Sequence, residues 1–315
     1  MFDKKKVLRS VSLGMSTVVL VSAGLLSGCT PAPEGNNADG GNNNTPPAVQ
    51  ENNKDKIMPE FIALVGKNPK PDVLIEFMDK NIAGVSGKDA ARMVVELERA
   101  QQNYLAKLEE KYYSGATIQE SMGKIYNNGF DLSKLDETQD AELKSLLTET
   151  KAMGYRVETA EGTFFPIMDY EFLKKYSPYA SDDIKEYINI MAVESNKVPA
   201  KDAALVIGWD EVVERALAQQ AFIEKYGSSD KVEAVKELNK RYLTFMLYGL
   251  NNTPLFSYED KTMNKEAKEA YQNAIKDNKD NALIKTLSSY MELLEKSGYK
   301  FTEEADKFRK AAVEK

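Results

Sequence analysis

Leu283-Ile284-Lys285-Thr286-Leu287-Ser288-Ser289-Tyr290-Met291-Glu292-Leu293-Leu294 is the stretch on which the fold turns. Leu283, Ile284, Leu287, Tyr290, Met291 and Leu294 recur at steps of three and four, which places them on one face of a helix. A strand would alternate every second residue instead. Gly298 follows as a stop, because glycine takes the left-handed conformation that ends many helices.

The same period recurs on either side. Ser86-Gly-Lys-Asp89 can cap a long helix reaching about Tyr113, with Asp89 in the first turn, where negative charge is favoured. Its apolar face is Val94, Leu97, Tyr104, Leu105, Leu108 and Tyr112. Ser181-Asp182-Asp183 opens another, with Ile184, Tyr187, Ile188 and Met191 inward. Trp209 to Tyr226 ends before Gly227, and Val232, Val235, Leu238, Tyr242, Phe245 and Met246 mark a helix that stops near Gly249. Thr302 starts a short last helix. One segment departs from this. Tyr155 to Pro166 alternates with period two around Ala160-Glu161-Gly162, which reads as a β-hairpin whose second strand ends at Pro166. The expected fold class is therefore predominantly all-α, an irregular multi-helix domain with one small hairpin at 155–166 and a subdomain seam near 155.

Composition narrows the chemistry. The 315 residues contain no histidine, and Cys29 is the sole cysteine. Zinc sites draw mainly on those two types, so no metal is expected. A Ser–His–Asp or Cys–His system lacks its base, and internal disulfides are excluded. The formal charge is −7. Residues 1–28 carry Lys4, Lys5, Lys6 and Arg9 against Asp3, so a chain beginning at Cys29 is three units more acidic, at −10. Such a surface disfavours nucleic acid as a partner.

Residues 1–9 form a cationic head, and Val11 to Leu26 is an uncharged run too short to span a bilayer but right for a signal peptide. The run closes on Leu26-Ser27-Gly28-Cys29. This order resembles the lipobox of bacterial membrane lipoproteins. The resemblance implies a diacylglyceryl lipid on the Cys29 thiol (palmitate-type acyl chains, and no other cofactor), with cleavage before it. It also implies a place on the outer, extracytoplasmic face of the cytoplasmic membrane. Two acyl chains at about 0.8 kcal/mol per buried CH₂ make such an anchor effectively permanent. Three regions follow: a signal peptide at 1–28, an Asn/Gly/Pro-rich tether at 29–56 too poor in apolar residues to order itself, and a helical domain at 57–315. The blocks Glu161 to Tyr176 and Trp209 to Tyr226 look like uncharacterised helical extracytoplasmic lipoproteins of Gram-positive, Bacillus-type bacteria. That likeness implies no activity.

Glu158, Glu161, Asp169 and Tyr170 stand out as ligand-binding candidates, since carboxylates beside aromatic rings suit a sugar or a cation. Glu194-Ser195 is similar to the Glu-Ser pair of lytic transglycosylases, where a glutamate acts as general acid. The similarity is four residues long, the run that normally follows is missing, and a solvated helix end explains Glu194 as well. Ser121/Lys124 and Ser297/Lys300 match Ser-x-x-Lys but lack the companion motifs. Asp136, Thr138 and Asp140 have the spacing of a calcium loop that then fails at Ala141 and Leu147. Ala267, Tyr271 and Ala274 resemble one tetratricopeptide helix, without the repeat upstream that a solenoid needs. No catalytic set is assembled. The expected function is a non-enzymatic binding or scaffolding module whose partner is a wall glycan, a peptide or an envelope protein. The alternatives are a carboxylate-dependent wall hydrolase or lyase, and a transporter's solute-binding lipoprotein.

Overall fold

The computed structural model describes residues 54–126, 138–278 and 281–314. Cys29, Leu26, Ser27, Gly28, most of the expected tether and Asp136 of the calcium-like spacing lie outside them. Among the described residues are twelve α-helices and three two-stranded antiparallel hairpins, so the molecule is predominantly all-α.

Helices α1 (Lys54–Val65), α2 (Pro71–Asn81) and α3 (Gly87–Tyr112) come first. Helix α1 begins three residues inside the stretch expected as tether. Pro71 opens α2, where its missing N–H costs nothing, and Ser86 caps α3 by accepting from the Asp89 amide at 3.2 Å. Next are α4 (Ala116–Ile125), α5 (Ala141–Ala152), β1 (Tyr155–Ala160), β2 (Thr163–Met168), the short α6 (Tyr170–Leu173) and α7 (Asp182–Asn196). The hairpin turns on Glu161 and Gly162, both at positive φ. Pro166 does not end β2 as expected. It sits inside the strand opposite Val157, and β2 runs on to Met168. In a two-stranded ribbon both strands are edges, so a missing N–H can face outward without breaking the ladder.

The C-terminal half contains β3 (Ala200–Lys201), β4 (Ala204–Leu205), α8 (Trp209–Lys225), α9 (Val232–Tyr248), β5 (Gly249–Leu250) and β6 (Thr253–Pro254). It ends with α10 (Lys265–Asp277), α11 (Ala282–Lys296) and α12 (Glu303–Val313). The stripe Leu283, Ile284, Leu287, Tyr290, Met291 and Leu294 is wholly buried, as its spacing requires. Burial of each such side chain contributes about 1.5–3 kcal/mol. Gly298 takes φ +64 and ends the helix. Helix α10 packs on α11, the local helix pair that the tetratricopeptide likeness implies, and also on α8.

Two groups of buried apolar side chains result. The larger joins the N-terminal half of α3 to α1, α2 and α6 to α12. The smaller, around Leu108, Tyr112, Met122, Leu147, Tyr155 and Phe164, lies between the C-terminal half of α3, α4, α5 and the first hairpin. Helix α3 thus serves both. The smaller group is closed by polar ties as well. Tyr112 and Thr150 share a hydrogen bond of 2.6 Å, and Glu149 takes bonds from Lys111 and Lys70. Burial pushes the Glu149 carboxyl up, but the two lysines outweigh it and leave it below its ordinary value.

At the centre of the larger group lies a charge. Glu98, 1% exposed, accepts from the Tyr187 hydroxyl at 2.5 Å and the Tyr170 hydroxyl at 2.7 Å, and pairs with Lys231. Lys231 also rests over the Tyr187 ring at 5.1 Å from its centre. Burial and the adjoining carboxylate push both tyrosines well above their usual range, so they stay protonated donors. Removing one partner of a buried ion pair strands the other, at a cost of about 3–5 kcal/mol. Glu98→Ala should therefore lower the urea midpoint markedly and reduce Tm by roughly 10 °C. Glu98→Gln, which keeps an acceptor for the tyrosines, should cost less. Equal losses in the two variants would show that the charge contributes nothing beyond its hydrogen bonds.

Candidate binding surface

Each of the expected ligand residues has its own place in the fold, and none of them lines either of the two clefts described below. Glu158 is paired with Lys201 of β3 at 2.6 Å, which ties the first hairpin to the second. Glu161 is exposed in the turn, at φ +49. Asp169 caps α6, accepting from the amides of Glu171 and Phe172. Tyr170 is only 6% exposed, its hydroxyl on Glu98. Among the described residues no two of the four share a hydrogen-bond partner. The reason is local: Asp169 is spent on a helix start, and the Tyr170 hydroxyl finds an acceptor in the core.

The serines of the two Ser-x-x-Lys matches are likewise engaged. Ser121 donates to Asp140, itself the cap of α5, and Ser297 donates to backbone carbonyls.

Glu194 is not a solvated helix end. Its side chain is 12% exposed, and the Tyr242 hydroxyl lies 2.7 and 2.8 Å from its two oxygens. Arg215, itself buried, reaches Glu194 at 3.4 Å, the Lys197 carbonyl at 2.9 Å and Glu211 at 2.5 Å. Burial raises the Glu194 carboxyl above its ordinary value, and Tyr242 and then Arg215 pull it back only in part. The reason its sequence misleads is that Tyr242 and Arg215 arrive from α9 and α8, far along the chain.

The second and third hairpins interlock. Asn252, in the β5–β6 turn, donates its amide to the Ala203 carbonyl at 2.8 Å and its side-chain NH₂ to the Asp202 carbonyl at 2.6 Å. The Leu205 amide reaches the Thr253 hydroxyl at 3.1 Å. With the Glu158–Lys201 pair, all three hairpins are linked in series.

Beyond β6 the chain turns back on itself and meets the segment after α11. Ser257 bonds Thr262, Phe301 bonds Lys261, and Thr262 bridges Lys300. Between this loop and the third hairpin is a cleft of about 330 Å³, lined by Tyr248, Pro254, Phe256, Tyr258 and Phe301, together with Asn251, Ser257, Lys261 and Arg309. The ring centres of Phe256 and Phe301 lie 5.1 Å apart. The Arg309 guanidinium sits over the rings of Tyr248 and Phe301, at 4.1 and 4.4 Å from their centres, and bonds Asp306 from Nε and Nη2. Tyr258 is 65% exposed, yet its hydroxyl is fixed to the Asn251 carbonyl at 3.0 Å. An exposed ring tied at its far end is a flat surface already oriented. A second surface cleft, of about 320 Å³, is lined by Asp182, Asp183, Lys225, Tyr226, Ser228 and Ser229. Asp183 there is already satisfied by Ser181 and Ser229.

Sequence reasoning passes over the aromatic cleft. Its signal is Asn251-Asn252 followed by Pro254, Phe256 and Tyr258 at alternate positions, a turn and a short extended run. No protein-family model matches the chain, and neither a curated protein nor a solved structure does.

Gly249 sets the approach of β5 to β6. It lies at φ +70 and ψ −153, a region open essentially to glycine alone. A Cβ there would run into the Thr253 carbonyl and come within 2.5 Å of the Leu255 amide. Gly249→Ala should therefore open the third hairpin and expose the Tyr258 and Phe301 rings. Faster hydrogen exchange at the Leu255 and Asn264 amides, with the α3–α5 region unaltered, would report it.

Glu194 makes a separate prediction about pH. A carboxyl whose folded-state pKa is raised costs stability while it is ionised. That cost is relieved as pH falls through the folded value and is gone below the unfolded one. The stability of the protein relative to Glu194→Gln should thus improve as pH falls through the folded-state value toward the unfolded one near 4.5. Urea midpoints of both proteins across that range test it, and a constant difference would mean that folding leaves the proton affinity of Glu194 unchanged.

Proposed function

We propose that the chain is a lipoprotein held by diacylglycerol on Cys29 at the outer face of the cytoplasmic membrane, acting there as a non-enzymatic binding module. Its ligand is a component of the wall, and the third hairpin's cleft receives it. The observation that carries this reading is the Tyr258 platform: a large ring left mostly in water but oriented by its own hydrogen bond, in a cleft lined by two further rings in mutual contact. Apolar rings with a few convergent polar groups are the usual makings of a small-ligand site. Leaving such a ring in water forgoes its burial energy, and holding it in place reduces the entropy lost when a ligand stacks on it.

The anchor and the site are tested separately. Mass spectrometry of the mature protein should find Cys29 at the N-terminus bearing two acyl chains, and Cys29→Ala should move the protein from the membrane to the culture supernatant. A mature product without lipid would remove the anchor. Full-length protein in detergent micelles should co-sediment with purified insoluble cell wall, and Tyr258→Ala should reduce the bound fraction severalfold. Binding indifferent to Tyr258, or none at all, would remove the site.

One observation favours a second reading, a wall glycan hydrolase or lyase. The raised pKa of Glu194 is what a general acid requires. Against it, both carboxylate oxygens face the Tyr242 hydroxyl and one faces Arg215. Cleared zones on wall-embedded gels, abolished by Glu194→Gln, would establish this alternative.

A further inference from the structure

The charge of the cleft identifies its ligand more narrowly, and this inference rests on the binding reading above. The protein carries 49 acidic residues against 42 basic ones, yet among the described residues no carboxylate lines this cleft. Its two charged lining residues are Lys261 and Arg309. Arg309 bonds Asp306 through Nε and Nη2, but Asp306 also pairs with Lys310, so the group keeps a net positive charge, and Nη1 has no partner among the described residues. The Lys261 side chain has no ion-pair partner among them either. The nearest acids in sequence, Glu259 and Asp260, do not line the cleft, and Asp260 accepts from the Thr262 amide instead. Lys261 is held in place by its backbone, which adopts φ +60 and gives its carbonyl to the Phe301 amide at 2.8 Å.

We infer that the cleft binds an anionic saccharide, a pyranose bearing a carboxylate directly on its ring, with the ring face on Tyr258 and the carboxylate toward Lys261 and Arg309. Three features fit this ligand together. A sugar ring offers a flat face of C–H groups to an aromatic ring, and the fixed Tyr258 presents such a surface. Its hydroxyls need short polar partners, and the Asn251 side chain lines the same cleft, while the Ser257 hydroxyl is already engaged with the Glu259 and Asp260 amides. A carboxylate carried by the ring itself puts charge and stacking face within one residue. That economy suits a cleft of 330 Å³, near the lower end of the usual range of about 300–1,000 Å³ for ligand sites. A protein of net negative charge attracts no polyanion at long range. Recognition must therefore come from this local pair of cations, and added salt should weaken it.

Calorimetric titration of the full-length protein in micelles tests the assignment. The probes are a glucuronic-acid disaccharide, its methyl ester, the neutral glucose counterpart, and a glycerol-phosphate oligomer. The free acid should bind at least tenfold more tightly than the ester or the neutral sugar, and less tightly as salt rises. Lys261→Asn should remove most of that preference. Asparagine tolerates positive φ, so this variant deletes the charge without straining the loop. Tyr258→Ala should weaken acid and ester alike, and Glu161→Gln should change neither. Equal binding of acid and neutral sugar would overturn the charge assignment while leaving a glycan-binding cleft. Preference for the phosphate oligomer, or acid binding that survives both Lys261→Asn and Tyr258→Ala, would overturn it too. If wall co-sedimentation depends on Tyr258 while no probe binds, the ligand class is wrong and the binding module stands. Loss of both would end the two together.

Discussion

One buried carboxylate connects parts of the chain that have no local reason to meet. Glu98 on α3 takes hydrogen bonds from Tyr170 of α6 and Tyr187 of α7, and an ion pair from Lys231 at the start of α9. Taking a carboxylate out of water costs several kcal/mol even after the protein relaxes, so the site is tolerable only when every partner is in place. That makes it a register device. Apolar faces slide past one another at little penalty, whereas a misplaced Glu98 would be both desolvated and alone. With α3 held, the smaller hydrophobic group on its C-terminal half and the larger one on its N-terminal half take their positions from the same rod.

A second polar centre repeats the logic with less closure. Arg215 on α8 binds two carboxylates, a tyrosine and a carbonyl, and so fixes the end of α7 against α8 and α9. Burial strips water from Glu194, and the bonds from Tyr242 and Arg215 compensate for it only in part. The three hairpins follow this junction in space through Arg156 on Asn196, Glu158 on Lys201, and Asn252 on the β3–β4 turn. Rigid helices thus carry a chain of short turns, and the aromatic cleft stands at its end. Binding surfaces commonly sit on loops held by a rigid frame, because loops can present side chains that a helix bundle must bury.

The hairpin at 155–168 shows how far local patterning reaches and where it stops. Alternation and the Glu161-Gly162 turn are properties of the chain, and they give both strands. The role of Pro166 is not local, because it depends on which strand edge faces a neighbour, and here it lies inside β2. Tyr170 is a sharper case. Beside Asp169 and Glu171 it reads as a ring among acids, and only the arrival of Glu98, 72 residues earlier, turns it into a core donor.

The sequence by itself determined the helical class, the helix starts at Ser86 and Thr302, the stops at Gly249 and Gly298, and the inward stripes. All of these depend on residues within a turn or two of one another. Only the tertiary structure decided which charged residues are buried, that Glu194 is enclosed, and that Tyr258, Phe301 and Arg309 share a cleft. Those outcomes follow from contacts between residues tens of positions apart. Their energies depend on how much water is excluded when the elements meet, and no local pattern encodes that.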